Sequence, residues 1–392
     1  MNQAFKAFLQ RPTTKAGIAT ALLMQVVFSI IWMTGYSGVS DRIDQLAIAV
    51  VSEDRQAGDQ LAQQLVQQLP FRMEQADSLA AARQELDERE VQMVVHIPAD
   101  FTASVSDPQG KASLHYLLNE SNPVMIKNVM SSVASQITAE ANARAAAQGI
   151  QGALAAQGMP QEAAAAAAGS LAQRVEAELE SMHVVDGMNN QMVPMMLVLA
   201  SWVGAMIMAL NFFQSGLAIA HSTTKWQRFG AQTSLTVVIA FAVSLVSAGL
   251  LTALGGQMES GFLSVWLFML LVLLSFMLVA QMVLQVLGMA GMFLNIILLS
   301  MQLVSSGAML PRELLPPFYH GIGEWLPATR AVEGMMSLLF GGPSAGPDVL
   351  ALALTGAAAL VVSLAAVALK KGMLPAARPA QQPQAQPEPS VR

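Results

Sequence analysis

Apolar positions in this chain follow two patterns, and each pattern keeps to its own block. Uninterrupted apolar runs occupy residues 16–36, 193–220, 231–254, 262–285, 286–309 and 349–369. Each is close to the roughly 20 residues a helix needs to cross a bilayer core, so the pattern predicts six transmembrane helices. The fourth and fifth runs join without a charge between them. Their turn is expected near Gly288 and Gly291, where glycine is tolerated.

Between the first and second runs the pattern changes. Short runs at 46–51 and 91–97, the second ended by Pro98, read as buried strands, and alternation over 113–118 reads as a third. Leu61, Leu65 and Leu69, then Leu79, Ala82 and Leu86, recur at helical spacing between the first two. Strand, helix, strand implies a small sheet with helices packed on it. From Pro123 to about His183 the chain is rich in Ala, Gln, Glu and Met, which favours long helices. Gly149, Gly152, Gly158 and Pro160 interrupt that stretch, so two helices with a break are expected, with an unstructured spacer as the alternative.

The expected fold class is therefore an α-helical integral membrane protein of six transmembrane helices. An extracytoplasmic α/β plus helical domain, residues 37–190, stands between the first and second helices. Residues 1–15 form a cytoplasmic segment before the first helix, 16–36. Helices 2 to 5 fill 191–310, a Pro-rich external segment fills 311–348, and the last helix is 349–371. Residues 372–392, rich in Pro, Gln and Ala, are expected to be a disordered cytoplasmic tail.

Charge sharpens this picture. Only 12% of the residues are charged and 54% are hydrophobic, where a soluble domain carries about 25% charged. Residues 35–190 hold 20 of the 26 acidic side chains against 9 basic ones, whereas 191–307 hold three charges, Lys225, Arg228 and Glu259. Lys6, Arg11, Lys15, Lys225, Arg228, Lys370 and Lys371 all fall on one side of a six-helix topology. By the positive-inside rule that side is the cytoplasm, which places both termini there and residues 37–190 outside. The first run is longer than the apolar core of a signal peptide and lacks a small-x-small cleavage site, so it is expected to stay as an anchor. Before it, Phe5, Phe8 and Leu9 share one helical face, as in a short interfacial helix.

Candidate chemistry is sparse. There is no cysteine, no phosphate-binding G-x-x-x-x-G-K-[ST] loop, no H-E-x-x-H and no G-x-S-x-G, and the five histidines are scattered. No catalytic residue, metal site or cofactor is expected in this chain, and no basic patch suggests nucleic acid. The apolar spans carry Gln25, Asn211, Gln214, Gln281, Gln285, Asn295 and Gln302 in place of ionisable groups, which fits interhelical hydrogen bonding. Ser201, Ala205 and Ala209 recur every four residues and predict close helix packing or dimerisation.

Residues 305–342 are the most informative stretch. Pro311, Pro316, Pro317 and Pro327 forbid one continuous helix, and Phe318, Tyr319 and Trp325 are boundary aromatics, so two short helices are predicted. Arg330 and Glu333 stand three apart and can pair.

Ser306-Gly307, Pro311, Leu315-Pro316 and Leu326-Pro327, followed by Thr329, Glu333 and Gly334, resemble the closing signature of ABC type-2 exporter permeases. The N-terminal half is similar to the YhgE/Pip branch through Ala49-Val50-Val51 with Glu53-Asp54, then VVHIPADF over 94–101 and LLNESNP over 117–123. The resemblance implies a permease subunit in the bacterial cytoplasmic membrane. Such a subunit exports an amphipathic or hydrophobic compound with a separate ATP-binding subunit and works as a homodimer among membrane lipid. It implies an external re-entrant gate built from Ser306, Gly307, Pro311, Pro316, Pro327, Arg330 and Glu333. Lys225, Trp226 and Arg228, together with Phe5, Phe8 and Arg11, are then the residues expected to touch the ATPase. The other reading left open is a non-transporting scaffold or receptor whose external domain binds a secretion-system or other extracellular partner.

Overall fold

The computed structural model describes residues 30–31, 34–36, 38–107, 111–155 and 174–369. The expected first transmembrane helix up to residue 29, the segment 1–15 with Phe5, Phe8 and Arg11, and the tail 372–392 lie outside the described residues.

The charged block folds as a three-layer α/β unit. Its elements are β1 (Ala47–Ser52), α1 (Ala57–Gln68), β2 (Arg72–Gln75), α2 (Leu79–Asp87), β3 (Met93–Ile97), α3 (Phe101–Ser106), β4 (Ala112–Asn119), α4 (Val124–Ala155) and β5 (Val175–Met182). The strands form one mixed sheet in the order β2-β1-β3-β4-β5. β1 runs parallel to β2 and β3, β4 is antiparallel to β3, and β5 is parallel to β4. Period-two alternation sorts the side chains of β1. Ile48 and Val50 pack with Leu61, Leu65, Met130 and Ile137 from α1 and α4, and Ala47, Ala49 and Val51 pack with Ala82 and Leu86 of α2.

β1, β3 and β4 lie within two residues of the runs expected at 46–51, 91–97 and 113–118. The expected helix reaching His183 is a correction, because residues 175–182 form the edge strand β5. Val175, Ala177, Leu179 and Ser181 alternate with three glutamates, and pairing with β4 overrides the helix preference of Ala and Glu. β2 was not signalled by its sequence, RMEQ, which is largely exposed.

The Glu53-Asp54 and LLNESNP pieces have structural jobs here. Asp54 Oδ1 accepts from the N–H groups of Gln56 (2.9 Å) and Gly58 (3.0 Å) at the start of α1 and from Thr102 Oγ1 (2.6 Å), and Asp54 Oδ2 accepts from Thr102 N–H (2.8 Å). Burial alone would raise its pKa, but these donors outweigh it and bring Asp54 down to about 2. Asn119 donates to the Leu86 carbonyl (2.9 Å), and Glu120 receives Lys127 Nζ (2.7 Å) and Val185 N–H (3.3 Å) beside the first long apolar helix.

The apolar half consists of α5 (Gly187–Ala218), α6 (Lys225–Ala253), α7 (Gly261–Leu287), α8 (Gly291–Ser305), the short helices α9 (Pro317–Trp325) and α10 (Pro327–Phe340), and α11 (Gly346–Leu369). Among the described residues, four helical stretches are long and apolar enough to cross a membrane: Gly187–Ala218, Lys225–Ala253, Gly261–Ser305 and Gly346–Leu369. The third folds back on itself. Asn295 Nδ2 donates to the Ala280 carbonyl at 3.2 Å, whereas 15 residues of straight helix would separate them by about 22 Å. The reversal is a 3₁₀ turn, Gly288–Ala290, with Gly288 at φ +65°.

α7 sits at the centre of this bundle, packed by α5, α6, α8, α10 and α11. Polar side chains tie the helices together: Gln281 to Thr236 (2.7 Å), Gln285 to Gln232 (3.1 Å), Trp266 to Ser244 (3.1 Å) and Ser275 to the Leu352 carbonyl (2.7 Å). Ala205 and Ala209 are fully buried in the chain's own core, so that part of the small-residue row serves internal packing. Gln257 bonds to Asn190 (3.0 Å) and to the Val184 carbonyl (2.9 Å), and Glu259 N–H to the Leu339 carbonyl (3.0 Å). These contacts gather the starts of α5 and α7 and the end of α10 at the sheet-domain end, while the α5–α6 loop and the end of α11 lie at the opposite end.

Candidate functional site

Two ends of the helical body carry the residues singled out from sequence. At the sheet-domain end α8 stops at Ser305, and Ser306 and Gly307 turn the chain. Gly307 has φ +80°, and a Cβ there would sit 3.1 Å from Arg312 Cγ, so the absence of a side chain lets the Arg312 stem cross it. Pro316 and Pro317 start α9, and Pro327 starts α10 directly after Leu326, positions where a missing N–H loses nothing. The Ala328 N–H, an orphan donor of the first turn of α10, is met by Gln302 Oε1 of α8 at 3.1 Å.

Glu333 on α10 lies between two guanidinium groups. Arg330 Nη1 donates to Glu333 Oε2 at 3.0 Å, and Arg312 Nη1 donates to Glu333 Oε1 at 3.3 Å. Arg330 also reaches Asp348 on the first turn of α11 at 3.5 Å, and Arg312 Nη2 reaches the His320 carbonyl of α9 at 3.2 Å. One carboxylate thus joins the 3₁₀ turn Arg312–Leu314 to α10, and one arginine joins α10 to α11. Such charge-assisted bonds are stronger than neutral ones and fix direction.

The same segment is fastened to the sheet domain. Arg89, in a left-handed conformation (φ +63°) after α2, donates to Ser121 Oγ (3.0 Å) and to the Gly341 carbonyl (3.2 Å). Burial pushes the Arg89 guanidinium down to about 10 in spite of the Glu333, Asp348 and Asp87 carboxylates nearby, and it stays protonated at neutral pH. A second tether joins Arg42 Nε to the Leu314 carbonyl at 2.7 Å. Beside Arg89 lies a cavity of about 360 Å³, lined by both the sheet domain and the α8–α11 connection.

At the opposite end, Thr224 and Gln227 form a capping box at the start of α6. Lys225 Nζ donates to the Ala368 carbonyl at the end of α11 (2.9 Å) and lies 5.6 Å from the Trp226 ring centroid. Arg228 turns inward to the carbonyls of Thr223 (2.7 Å) and Ala220 (3.3 Å), so it holds the loop's shape. Trp226 is about half exposed.

The structure therefore brings Ser306, Gly307, Pro311, Arg330 and Glu333 to one cavity wall, with Pro316 and Pro327 in the turns behind it, and sets Lys225, Trp226 and Arg228 at the far end. Sequence reasoning missed Arg312, Asp348 and Arg89 as members of the site. Arg330 and Glu333 are helical neighbours, but the others come from distant turns and carry no local spacing signal. Among the described residues there is no cluster of His, Asp or Glu suited to a metal ion.

The chain is similar to "Uncharacterized protein YhgE" of Bacillus subtilis (strain 168), 27% identical over 197 residues, which are 50% of this chain. It spans 25% of that relative's length. Among solved structures it is similar to a crystallised domain of "a putative ABC type-2 transporter" from Thermotoga maritima MSB8, at 16% identity, 34% of this chain, 84% of that one and a TM-score of 0.27. The family model described as ABC-2 family transporter protein matches residues 15–365. The chain, a multi-pass helical membrane protein with a sheet domain, thus belongs to the ABC-2 family of transporter proteins.

Proposed function

We propose that this chain is the permease subunit of an ABC type-2-like exporter, moving an amphipathic or hydrophobic compound outward across the cytoplasmic membrane. A separate ATPase subunit supplies the energy, and two copies of this chain form the path. The topology has six spans, with both termini cytoplasmic and the sheet domain outside. α9 and α10 are the external gate.

One observation carries the mechanism. α11 touches both candidate regions: its first turn holds Asp348 against Arg330 of α10, and its last turn offers the Ala368 carbonyl to Lys225. A helix of 24 residues is about 36 Å long and stiff, so a push on the loop around Trp226 reaches the gate through one rigid element. The exposed Trp226, presented by a loop that Arg228 and the capping box hold in shape, supports contact with the ATPase at that end. Net positive charge there supports a cytoplasmic placement.

The test is purification from the native host in mild detergent, with identification of bound proteins by mass spectrometry against an unrelated tagged membrane protein. A stoichiometric nucleotide-binding subunit is expected, and it should be lost when Lys225 and Trp226 are both changed to Ala. Recovery of secretion or other external proteins with no ATPase would replace the exporter by the scaffold reading.

A further inference from the structure

α9 and α10 form a hairpin that dips into the helical bundle, and its depth follows from contacts with α7 and α8. Asn295 of α8 reaches the Ala280 carbonyl of α7 at 3.2 Å, and the two helices run antiparallel, so Gln302 lies level with about Leu273. Gln302 in turn holds the Ala328 N–H at 3.1 Å, which fixes the α9–α10 junction, Leu326 and Pro327, at the same level. A second route agrees. Gly334 of α10 abuts Phe268, and the Leu339 carbonyl takes the Glu259 N–H at 3.0 Å, so α10 climbs toward the start of α7 from a junction roughly 10 Å below Phe268. Along α7, Leu273 is about 17 Å from Phe262 and about 18 Å from Gln285, the two ends of that apolar run. The tip of the hairpin therefore lies near the middle of an apolar layer roughly 30 Å thick.

Three faces of α9 meet different surroundings. Tyr319 and Gly323 face the protein: Tyr319 packs with Ile31 and Val304, and a Cβ on Gly323 would sit 2.8 Å from the Ser305 carbonyl oxygen. His320 and Glu324, one turn apart, share the cavity side, where His320 lines the wall and Glu324 stands 3.9 Å from Arg312. Phe318, Ile322 and Trp325 recur at i, i+4 and i+7 on the remaining face. Phe318 is 64% and Trp325 85% exposed.

An exposed indole at that depth meets either lipid, another protein surface or an aqueous path. The side chains suited to an aqueous path are on the cavity face instead. Phe318, Ile322 and Trp325 are bulky, whereas helix contacts within membranes select small residues. Beside them the end of the first apolar run presents Ile30, 58% exposed, next to the Ile31 that packs on Tyr319. Acyl chains are the surroundings that fit such a face.

We propose that α9 is a lipid-bound helix, with Phe318, Ile322 and Trp325 seated among acyl chains of the leaflet on the sheet-domain side and His320 and Glu324 turned to the cavity. α9 is then the wall between lipid and cavity. Naming that leaflet the outer one rests on the proposed topology, but the lipid contact does not. The measurement involves neither ATPase nor cargo, so its failure and that of the permease reading are distinguishable.

The full chain is reconstituted in nanodiscs of phosphatidylcholine with plain or brominated acyl chains. The difference in emission between wild type and Trp325→Phe isolates Trp325 from the five tryptophans. That emission is expected to drop at least twofold in brominated lipid and to be insensitive to iodide. Since the chain has no cysteine, a nitroxide on Glu324→Cys is a single label, expected to collide more often with an aqueous nickel chelate than with oxygen dissolved in the lipid. Quenching of Trp325 by iodide and not by bromine overturns the proposal, since the face then borders water. Resistance to both quenchers also overturns it, because a second copy of the chain then covers the face. An oxygen-dominated signal at residue 324 overturns the division of α9 into a lipid side and a cavity side.

Discussion

Arg89 donates to the carbonyl of Gly341 at 3.2 Å, across 252 residues of sequence. That bond, with its partner to Ser121, fastens the end of α10 to the sheet domain, so the domain and the α8–α11 connection move together. Arg89→Ala removes charge-assisted bonds worth roughly 1.5–3 kcal/mol. Amide exchange should accelerate over residues 338–345 while β1, β3 and β4 keep their protection. Equal protection of 338–345 in the variant would show that the tether is silent. Arg89→Lys should not restore it, since one ammonium cannot reproduce the guanidinium fork.

Glu333 holds two arginines, and its removal affects both. Glu333→Gln leaves Arg312 and Arg330 facing one another without a carboxylate between them. The side chain is about one-third exposed, so the loss falls below the roughly 3–5 kcal/mol of a fully buried pair, and about 1–2 kcal/mol is expected. Thermal unfolding in detergent checks this. Restoration by added salt would indicate that repulsion between the two guanidiniums dominates, because salt screens it.

Some of this arrangement was legible beforehand and some was not, for identifiable reasons. Long apolar runs and the alternation of β1, β3 and β4 report burial directly, since each side chain meets one environment set by its own position. β5 is an edge strand with only Val175 well buried, so little apolar signal competes with the helix-favouring Ala and Glu. Its placement comes from β4, through Ser113 to Glu178 at 3.0 Å and the pairing of Lys111 with Glu176. The candidate site behaves likewise. Arg330–Glu333 follows from helical spacing, whereas Arg312, Asp348 and Arg89 meet only after the chain has reversed at Gly288 and again at Gly307.

Asp54 makes the sheet domain sensitive to acid. Its folded pKa of about 2 lies below the ordinary 3.8, so the group favours folding whenever it is ionised in both states. That contribution is complete above about pH 4 and disappears as pH falls toward 2. Asp54→Asn should remove roughly 1–2 kcal/mol at neutral pH, in the range of lost helix-start side chains. The difference in melting temperature between wild type and variant should shrink from pH 5 to pH 2.5. A difference constant across that window would mean that Asp54 acts through shape and not through charge.

Gly334 decides how closely α10 lies on α7. A Cβ at this position would sit 2.4 Å from Phe268 Cζ and 3.2 Å from Asp348 Cβ, so even alanine forces the two helices apart. Phe268 is 3% exposed, within the close-packed core of the helical bundle. Gly334→Ala should therefore destabilise the fold by about 1–3 kcal/mol through overpacking, despite alanine's better helix propensity. The direction separates two explanations. If helix propensity ruled, the melting temperature would rise; if packing rules, it falls, and Phe268→Leu in the same chain should recover part of the loss. Since Asp348 shares the contact, displacement of α10 should also lengthen the Arg330–Asp348 pair. The double variant should then regain part of the stability that Gly334→Ala alone loses.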